Sequence, residues 1–315
     1  MLKKNDPLVS AIITTHDREP EIVLRAVKSV LDQTYQNIEL IVVDDSSPSF
    51  AKRAEVEQAV LGVSDAILYL KHDFSQGACA ARNTGLHESK GYYVGFLDDD
   101  DEWLPTKIEM QLKGFCDDKI ALVYGRIILL DEKTGRAYIR KAPTESGYIF
   151  ESLLKSCYIG STSNPLIKKE CIEAVGEFDV QMEACQDYDL WLRLALRYPM
   201  QFIDSPVLRY HIHPGIRISK NTEKKIQGYE RINRDYAAYI NKDDDIWYMR
   251  HRALIPYYLE LYGVRKSLTL WISWINERPG CFLGKSKLFF RIVLRSDLIL
   301  RLVGQYRMLR GDRRE

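Results

Sequence analysis

No uncharged apolar run in this 315-residue sequence reaches the ~20 residues that a bilayer-spanning helix needs. The longest candidate, 267–276, stops well short, so no transmembrane helix is expected. The N-terminal residues Met1-Leu2-Lys3-Lys4-Asn5-Asp6-Pro7 carry lysines with no apolar stretch behind them, so no secretory signal is expected either. None of the six cysteines (Cys79, Cys116, Cys157, Cys171, Cys185, Cys281) forms a CxxC pair or a zinc-type spacing. Reduced core thiols and a cytoplasmic setting are the expectation. A GxGxxG turn after the first apolar run is missing, which excludes a dinucleotide-dependent dehydrogenase of the usual kind. The formal net charge is only +1, so no overall basic excess points to nucleic acid as a partner. Internal repeats and low-complexity tracts are absent too.

What is present is globular in character, with 46% hydrophobic residues to build a core. The length suits one large domain plus a smaller appendage, or two domains. Charge is uneven along the chain. From Cys281 onward nine Lys/Arg face three Asp/Glu, against 36 and 41 before it. A basic tail on a mildly acidic body suits an anionic surface, such as lipid or a phosphorylated acceptor.

The chemistry gathers at Tyr92-Tyr93-Val94-Gly95-Phe96-Leu97-Asp98-Asp99-Asp100-Asp101-Glu102-Trp103-Leu104-Pro105. An apolar run feeds four consecutive aspartates, and Pro105 suits the first turn of a following helix. A bare acidic run reads as a solvated loop. One that ends a buried strand reads as a metal or phosphate site, because open α/β sheets bind ligands beyond the carboxyl ends of their strands. Crowded carboxylates raise one another's pKa unless neutralised, and hard divalent cations prefer oxygen ligands.

The rest of the chain supplies the sheet. Residues 8–15, 38–43, 66–70 and 92–97 are apolar runs read as strands. Helical spacing fills 21–33, 51–61 and 77–89 between them. This alternation predicts a mostly parallel, doubly wound sheet with helices on both faces. The second strand also ends on acids, Asp44-Asp45, at the same edge as Asp98. Farther on, 120–130 reads as strand with a bend at Gly125, and 137–140 pairs back. Residues 148–156, 168–175 and 184–198 read as helices, and 161–167 and 202–213 as extended. After about Thr222 the pattern turns helical, at 224–241, 244–262 and 264–276. A basic, imperfectly amphipathic segment closes the chain at 285–309.

Six pieces resemble, in order, the family 2 glycosyltransferases of GT-A type. They are Val9-Ser10-Ala11-Ile12-Ile13-Thr14-Thr15-His16-Asp17-Arg18, Ser29-Val30-Leu31-Asp32-Gln33-Thr34-Tyr35 and Glu39-Leu40-Ile41-Val42-Val43-Asp44-Asp45-Ser46-Ser47. The others are Gly77 with Ala81-Arg82-Asn83-Thr84-Gly85, Phe96-Leu97-Asp98-Asp99-Asp100-Asp101, and Gln186-Asp187-Tyr188-Asp189-Leu190-Trp191-Leu192-Arg193. The resemblance spans roughly 7–215. It implies a GT-A catalytic domain over 1–220, with a nucleotide-sugar part at 7–125 and an acceptor part at 126–220. A helical C-terminal region over 221–315 follows.

The implied activity is inverting transfer from a nucleotide-diphosphate sugar, with UDP as the expected nucleotide, to an acceptor hydroxyl, in surface polysaccharide or glycolipid synthesis. Carried over residue by residue, Thr14, His16, Asp45 and Arg82 belong to the nucleotide pocket. Asp98 belongs near the ribose, with Asp99 beside it. Asp100 and His213 belong at a Mn²⁺ or Mg²⁺ ion, Asp101 braces the turn, and Asp187 is the catalytic base. The family form Glu-Asp is Gln186-Asp187 here, which keeps the base and changes its neighbour. Asp99 stands where the family carries a small or neutral residue, so the ligand position can shift by one.

Alternatives remain open from sequence. Asp187 also reads as the N-cap of the Trp191 helix, and His213 as a surface or core histidine. Residues 285–315 read as a helix on an anionic membrane, peripheral to its inner face and near a saccharide or lipid-linked acceptor, or as a helix packed on the body. A metal-dependent nucleotidyltransferase or phosphohydrolase would also use an acidic strand end. The former needs a glycine-rich basic loop after the first strand, and His16-Asp17-Arg18-Glu19-Pro20 is not one. A haloacid-type phosphatase needs Thr or Val where Asp101-Glu102 stands. A non-catalytic sugar-binding module would have no need of intact Asp45, Asp98, Asp100 and Asp187.

Overall fold

The computed structural model describes residues 6–212 and 221–278. The chain divides into two compact units, Met1–Leu153 with Cys157–Ile216, and Leu154–Ser156 with Arg217–Glu315. In the first unit the four apolar runs form β1 (Val9–Thr15), β2 (Ile38–Asp44), β3 (Leu68–Lys71) and β4 (Tyr93–Asp98). Between them lie α1 (Pro20–Leu31), α2 (Arg53–Leu61) and α3 (Ala78–Glu88). The strands pair in parallel in the order β3-β2-β1-β4. Residues 9–13 of β1 are all buried, because helices cover both faces of the sheet. From α1, Val23, Ala26, Val27 and Val30 reach the core at helical spacing. Gly85 brings α3 down onto the sheet: a Cβ there would sit 2.4 Å from Ile12 Cγ2.

This topology positions the site. The chain steps from β1 outward to β3, then crosses back to β4 on the other side of β1. The order therefore reverses between β1 and β4, the place where such sheets open a crevice. Thr15 pairs with Asp44 and Thr14 with Asp98, so three strands end at one level.

Beyond β4 the sheet becomes mixed. The next elements are β5 (Glu102–Trp103), α4 (Lys107–Gly114), β6 (Leu122–Asp131), β7 (Arg136–Ile139), α5 (Phe150–Lys155) and β8 (Leu166–Lys168). They are followed by α6 (Lys169–Val175), α7 (Gln186–Arg197) and β9 (Met200–Ile212). β8 inserts antiparallel between β4 and β6, β9 runs parallel to β6, and β5 and β7 add antiparallel at β9 and β6. The sheet is thus mostly parallel, as expected. The helix expected at Pro105 instead begins at Lys107, because Glu102–Trp103 first pairs with β9. The expected bend at Gly125 is a slip in the β6–β9 register between Tyr124 and Ile127. A Cβ on Gly125 would meet the Ser205 carbonyl at 2.7 Å.

The second unit is helical: α8 (Thr222–Asp235), α9 (Ala237–Ile240) and α10 (Asp244–Glu277). Asn221 caps α8 by accepting from the Lys224 amide, and Asp243 caps α10 through the Asp245 and Ile246 amides. Gly263, at φ 72°, breaks α10 where two separate helices were expected to meet. Ile226, Leu254 and Tyr258 form its core. Among the described residues no helix is long and apolar enough to cross a membrane. The expected metal ligand His213 and the basic segment 285–315 lie outside the described residues.

The cysteines are less uniform than expected. Cys79 and Cys171 are buried, whereas Cys157 and Cys185 are half-buried and Cys116 is exposed; all five are free thiols.

Candidate active site

Each aspartate of the acidic run has a different environment. β4 delivers Asp98 to the sheet edge, and the chain turns at once, with the Asp101 amide donating to the Asp98 carbonyl at 3.1 Å. Asp98 accepts from Arg82 Nη2 at 2.7 Å, yet its side chain remains 32% exposed. Asp99 is buried against Arg18, whose Nε donates to it at 2.9 Å. Burial pushes the Asp99 carboxyl up to about 6, although Arg18 pulls the other way. Asp100 lies 3.4 Å from Arg18 Nη2, and its carbonyl accepts from Arg25 Nη2 at 2.8 Å. Asp101 is 1% exposed and accepts from Ser163 Oγ at 2.7 Å and Ser161 Oγ at 3.3 Å. Burial, followed by the charges of Asp98 and Asp100, raises its pKa well above the ordinary carboxylate range.

Asp187 approaches from the other half of the unit. It is the second residue of α7, and the cap position is taken by Cys185 in a left-handed conformation, φ 60°. The N-cap reading of Asp187 is therefore replaced by a place inside the first helical turn. Its Oδ1 accepts from the Tyr188 amide at 2.8 Å. Burial pushes its carboxyl up to about 6, against the opposing pull of the Tyr188 amide and Arg82. A carboxylate near that value can take a proton at neutral pH more readily than an ordinary aspartate.

Arg82 joins the two groups. From α3 it donates to Asp98 and, through Nη1 at 3.2 Å, to Gln186 Oε1 beside Asp187. Its guanidinium lies 5.4 Å from the centre of the Phe178 ring. A glutamate at 186 would compete with Asp98 for this charge. Glutamine keeps the hydrogen bond and leaves the charge of Arg82 to Asp98.

The remaining expected residues lie along the same edge. Thr14 is half-buried opposite Asp98 in the β1–β4 register. His16 Nδ1 lies 2.8 Å from the Asp45 carbonyl, with the imidazole more than half exposed. Asp45 is 3% exposed and heavily engaged. Its Oδ1 accepts from His72 Nδ1 at 2.7 Å and the Gln76 amide at 2.7 Å. Its Oδ2 accepts from Ser75 Oγ at 3.0 Å and the Gly77 amide at 2.8 Å. A carboxylate offers about four acceptor sites, so Asp45 anchors the 72–77 loop that opens α3. Asp45→Ala would strand those buried donors. It should cost about 1–3 kcal/mol of stability in urea unfolding, with a fall in nucleotide affinity as the loop loosens.

His211, expected to share a face with His213, is buried between two carboxylates. Nε2 lies 2.6 Å from Glu102 Oε1 and Nδ1 2.9 Å from Glu132 Oε1.

The acidic turn fits a hard divalent cation. Two arginines face four aspartates here, and Asp98 keeps an accessible carboxylate. Mg²⁺-type sites use one or two carboxylates and leave other positions to substrate phosphates. Among the described residues no group of three or more His, Cys, Asp or Glu side chains is placed to hold a metal ion by itself.

Several contributors were not legible in the sequence. Arg18, part of a polar turn there, crosses to Asp99, 81 positions away. Arg53 and Tyr69 hold the buried Asp44 at 2.8 and 3.1 Å. Ser163 Oγ accepts from the Asp98 amide at 3.0 Å while donating to Asp101. An arginine at a strand end opposite an acidic run was the one available signal. The small polar run Ser161-Thr162-Ser163-Asn164 carried none.

The Escherichia coli K12 protein named for colanic acid biosynthesis, WcaA, is 30% identical over 88% of this chain and 96% of its own length. Escherichia coli WfgD, a UDP-Glc:alpha-D-GlcNAc-diphosphoundecaprenol beta-1,3-glucosyltransferase, is 32% identical over 60% of this chain and 70% of its own. The crystal structure of S. aureus TarS 1-349 with UDP-GlcNAc superposes with a TM-score of 0.66 over 86% of this chain and 80% of that one, at 15% identity. This likeness is one of fold. Residues 10–176, which hold the acidic turn, Asp45 and Arg82, match the model of Glycosyl transferase family 2. With its GT-A fold and its strand-edge carboxylates, the chain belongs to that family and is a glycosyltransferase.

Proposed function

We propose that the enzyme is an inverting transferase that moves a hexosyl or N-acetylhexosaminyl group from a UDP-sugar to an acceptor hydroxyl. The carrying observation is the Arg82 bridge. It sets an acidic turn suited to a metal diphosphate beside a half-buried carboxylate whose pKa is raised to about 6. In an in-line displacement the acceptor hydroxyl attacks the anomeric carbon from the side opposite the diphosphate. Asp187 accepts the hydroxyl proton, and the helix start fixes its direction. Thr14, His16 and the Asp45-anchored loop border the nucleotide, with Asp98 on the ribose side. Asp100 and His213 would hold Mn²⁺ or Mg²⁺, which when bound supplies positive charge to the leaving diphosphate.

The names of the relatives supply the context. WfgD is named for a UDP-Glc donor and a diphosphoundecaprenol-linked acceptor, and WcaA for colanic acid. Surface polysaccharide synthesis on a saccharide or lipid-linked acceptor, at the cytoplasmic face of the membrane, is the corresponding role here. Residues 1–220 are the catalytic region in this reading, and the basic end of the chain, 285–315, contacts that membrane.

A thermal-shift panel of nucleotide sugars, with and without Mn²⁺, tests the donor. A UDP-sugar at ~100 times its Kd stabilises the fold by about 2.7 kcal/mol. Stabilisation by no nucleotide sugar would defeat the reading, and a product that keeps the donor's anomeric configuration would defeat inversion.

A further inference from the structure

A series of alternating charges runs beside the acidic turn, and its middle member is buried. Arg209 Nη1 donates to Glu102 Oε2 at 3.2 Å. Glu102 Oε1 accepts from His211 Nε2 at 2.6 Å. Across the ring, His211 Nδ1 donates to Glu132 Oε1 at 2.9 Å, and the same oxygen accepts from Arg25 Nη1 at 3.2 Å. Arg25 completes the series at the turn itself, with Nη2 donating to the Asp100 carbonyl at 2.8 Å. Four parts of the unit are joined in this way. They are α1 through Arg25, the acidic turn through Asp100 and Glu102, the β6–β7 connection through Glu132, and the end of β9 through Arg209 and His211.

The strands bring these side chains together. β5 pairs antiparallel with β9, which sets Glu102 opposite Arg209. His211 is two residues farther along β9 and so lies on the same face, within reach of Glu102 as a diagonal neighbour. β6 runs beside β9 as far as Asp131 and Ile212, and the Glu132 amide donates to the Ile212 carbonyl at 3.1 Å. That contact places Glu132 beside the second ring nitrogen.

The partners fix the form of the ring. A carboxylate paired with an arginine only accepts hydrogen bonds. Both nitrogens of His211 therefore donate, and the ring is an imidazolium. Its side chain is 4% exposed, against 29% for Arg25 and 39% for Arg209 at the ends of the series. Burial works to raise the pKa of Glu132, yet the hydrogen bonds from His211 and Arg25 hold it below its usual value.

Stability is a weak reason for such a series. Desolvation offsets most of the attraction in a buried ion pair, and apolar packing often does as well; its best-attested use is to fix a register. Register needs fixing here. β5 has only two residues to pair with β9. The β6–β9 ladder is broken by the slip between Tyr124 and Ile127. A one-residue shift of β9 would turn His211 to the opposite face.

We infer that His211 and Arg25 are positioning residues, which hold the Asp98–Asp101 turn in a fixed relation to the end of β9 so that a divalent cation and the donor diphosphate meet a preformed site. The inference rests on the transferase reading, in which Asp100 and His213, two residues beyond His211, hold the cation. His211 and Arg25 act through those groups and are not themselves ligands.

Titration calorimetry of UDP binding to the full chain, with and without Mn²⁺, tests this role. The variants are His211→Gln, Arg25→Gln and Glu132→Gln. Arg126→Gln is the control, because its ion pair with Asp204 also involves β6 and β9 but lies at the slip and not at the strand ends. Mn²⁺ should tighten UDP binding to the wild type. That gain should shrink by ~10–100-fold in His211→Gln and Arg25→Gln, the scale of losing a group that orients a metal ligand. Glu132→Gln should lose part of it. UDP affinity without metal should stay close to wild type in all three, and Arg126→Gln should keep the full gain. A merely structural role would lower both affinities together. His211→Gln leaves two carboxylates without their shared cation, so melting temperatures accompany the titrations; if that variant does not fold, Arg25→Gln and Glu132→Gln decide.

A metal gain unchanged in both Arg25→Gln and Glu132→Gln overturns the inference. So does an equal loss with and without Mn²⁺, or a loss as large in Arg126→Gln. Each of these leaves the donor reading standing. A wild type that binds UDP no more tightly with Mn²⁺ sinks the cation reading, and the positioning role with it.

Discussion

Asp187→Asn should retain UDP-sugar binding and lose transfer. The substitution keeps the volume and the contact with the Tyr188 amide, so the start of α7 should stay in place. It removes the proton acceptor, a loss of roughly 10²–10⁴ in rate for a positioned general base. Calorimetric donor affinity close to wild type, with turnover down by that factor, is the expected pair of results. Unchanged turnover would remove Asp187 from the base role. The pH profile provides a second check. The base form of Asp187 is populated above about 6, so kcat/KM should rise as pH climbs through that value and then level off. At ordinary aspartate basicity the rise would finish about two units lower.

Asp100→Ala should remove most of the metal dependence of UDP binding. Asp100 stands beside Arg18 at the acidic turn, whereas its neighbour Asp99 is buried and held by Arg18 at the shorter distance of 2.9 Å. Loss of a partner outside a metal's ligand shell costs ~10–100-fold in affinity, and loss of a direct ligand costs at least as much. Calorimetry of UDP with and without Mn²⁺ reads the effect. Asp99→Asn should leave the metal dependence intact and lower stability through the lost Arg18 pair. UDP affinity that is indifferent to metal in the wild type would take Asp100 off the ion. The reverse pattern between the two variants would move the ligand to Asp99.

Long buried strands and amphipathic helices were legible in the sequence because their signal is spread over many residues. β1, β2 and β4 are continuous apolar runs, and α7 carries Leu190, Trp191 and Leu194 at helical intervals. β5 and β8, of two and three residues, are too short to show a period. Their antiparallel pairing depends on partners far along the chain. The acidic strand ends and Asp187 could be found from local pattern and family resemblance. The partners that set their properties could not. Arg18 to Asp99, Arg82 to Gln186 and Ser163 to Asp101 span 81, 104 and 62 positions. Lys107 shows the same limit. It looks like a surface lysine of α4, yet it is fully buried and donates to the Asn164 carbonyl at 2.6 Å. Burial drives its pKa well below the ordinary lysine range.

The 157–163 loop bears on how such an enzyme can diversify. Ser161 and Ser163 fix the Asp98–Asp101 turn, and the Ile159 carbonyl ties the same loop to Asn164. A substitution there would therefore disturb the carboxylates. The exposed β7 strand and the chain up to residue 147 carry no such duty. A lineage that changes its acceptor while keeping its donor should therefore vary at 133–147 and hold 157–163 constant. Libraries built to redirect specificity should be drawn the same way.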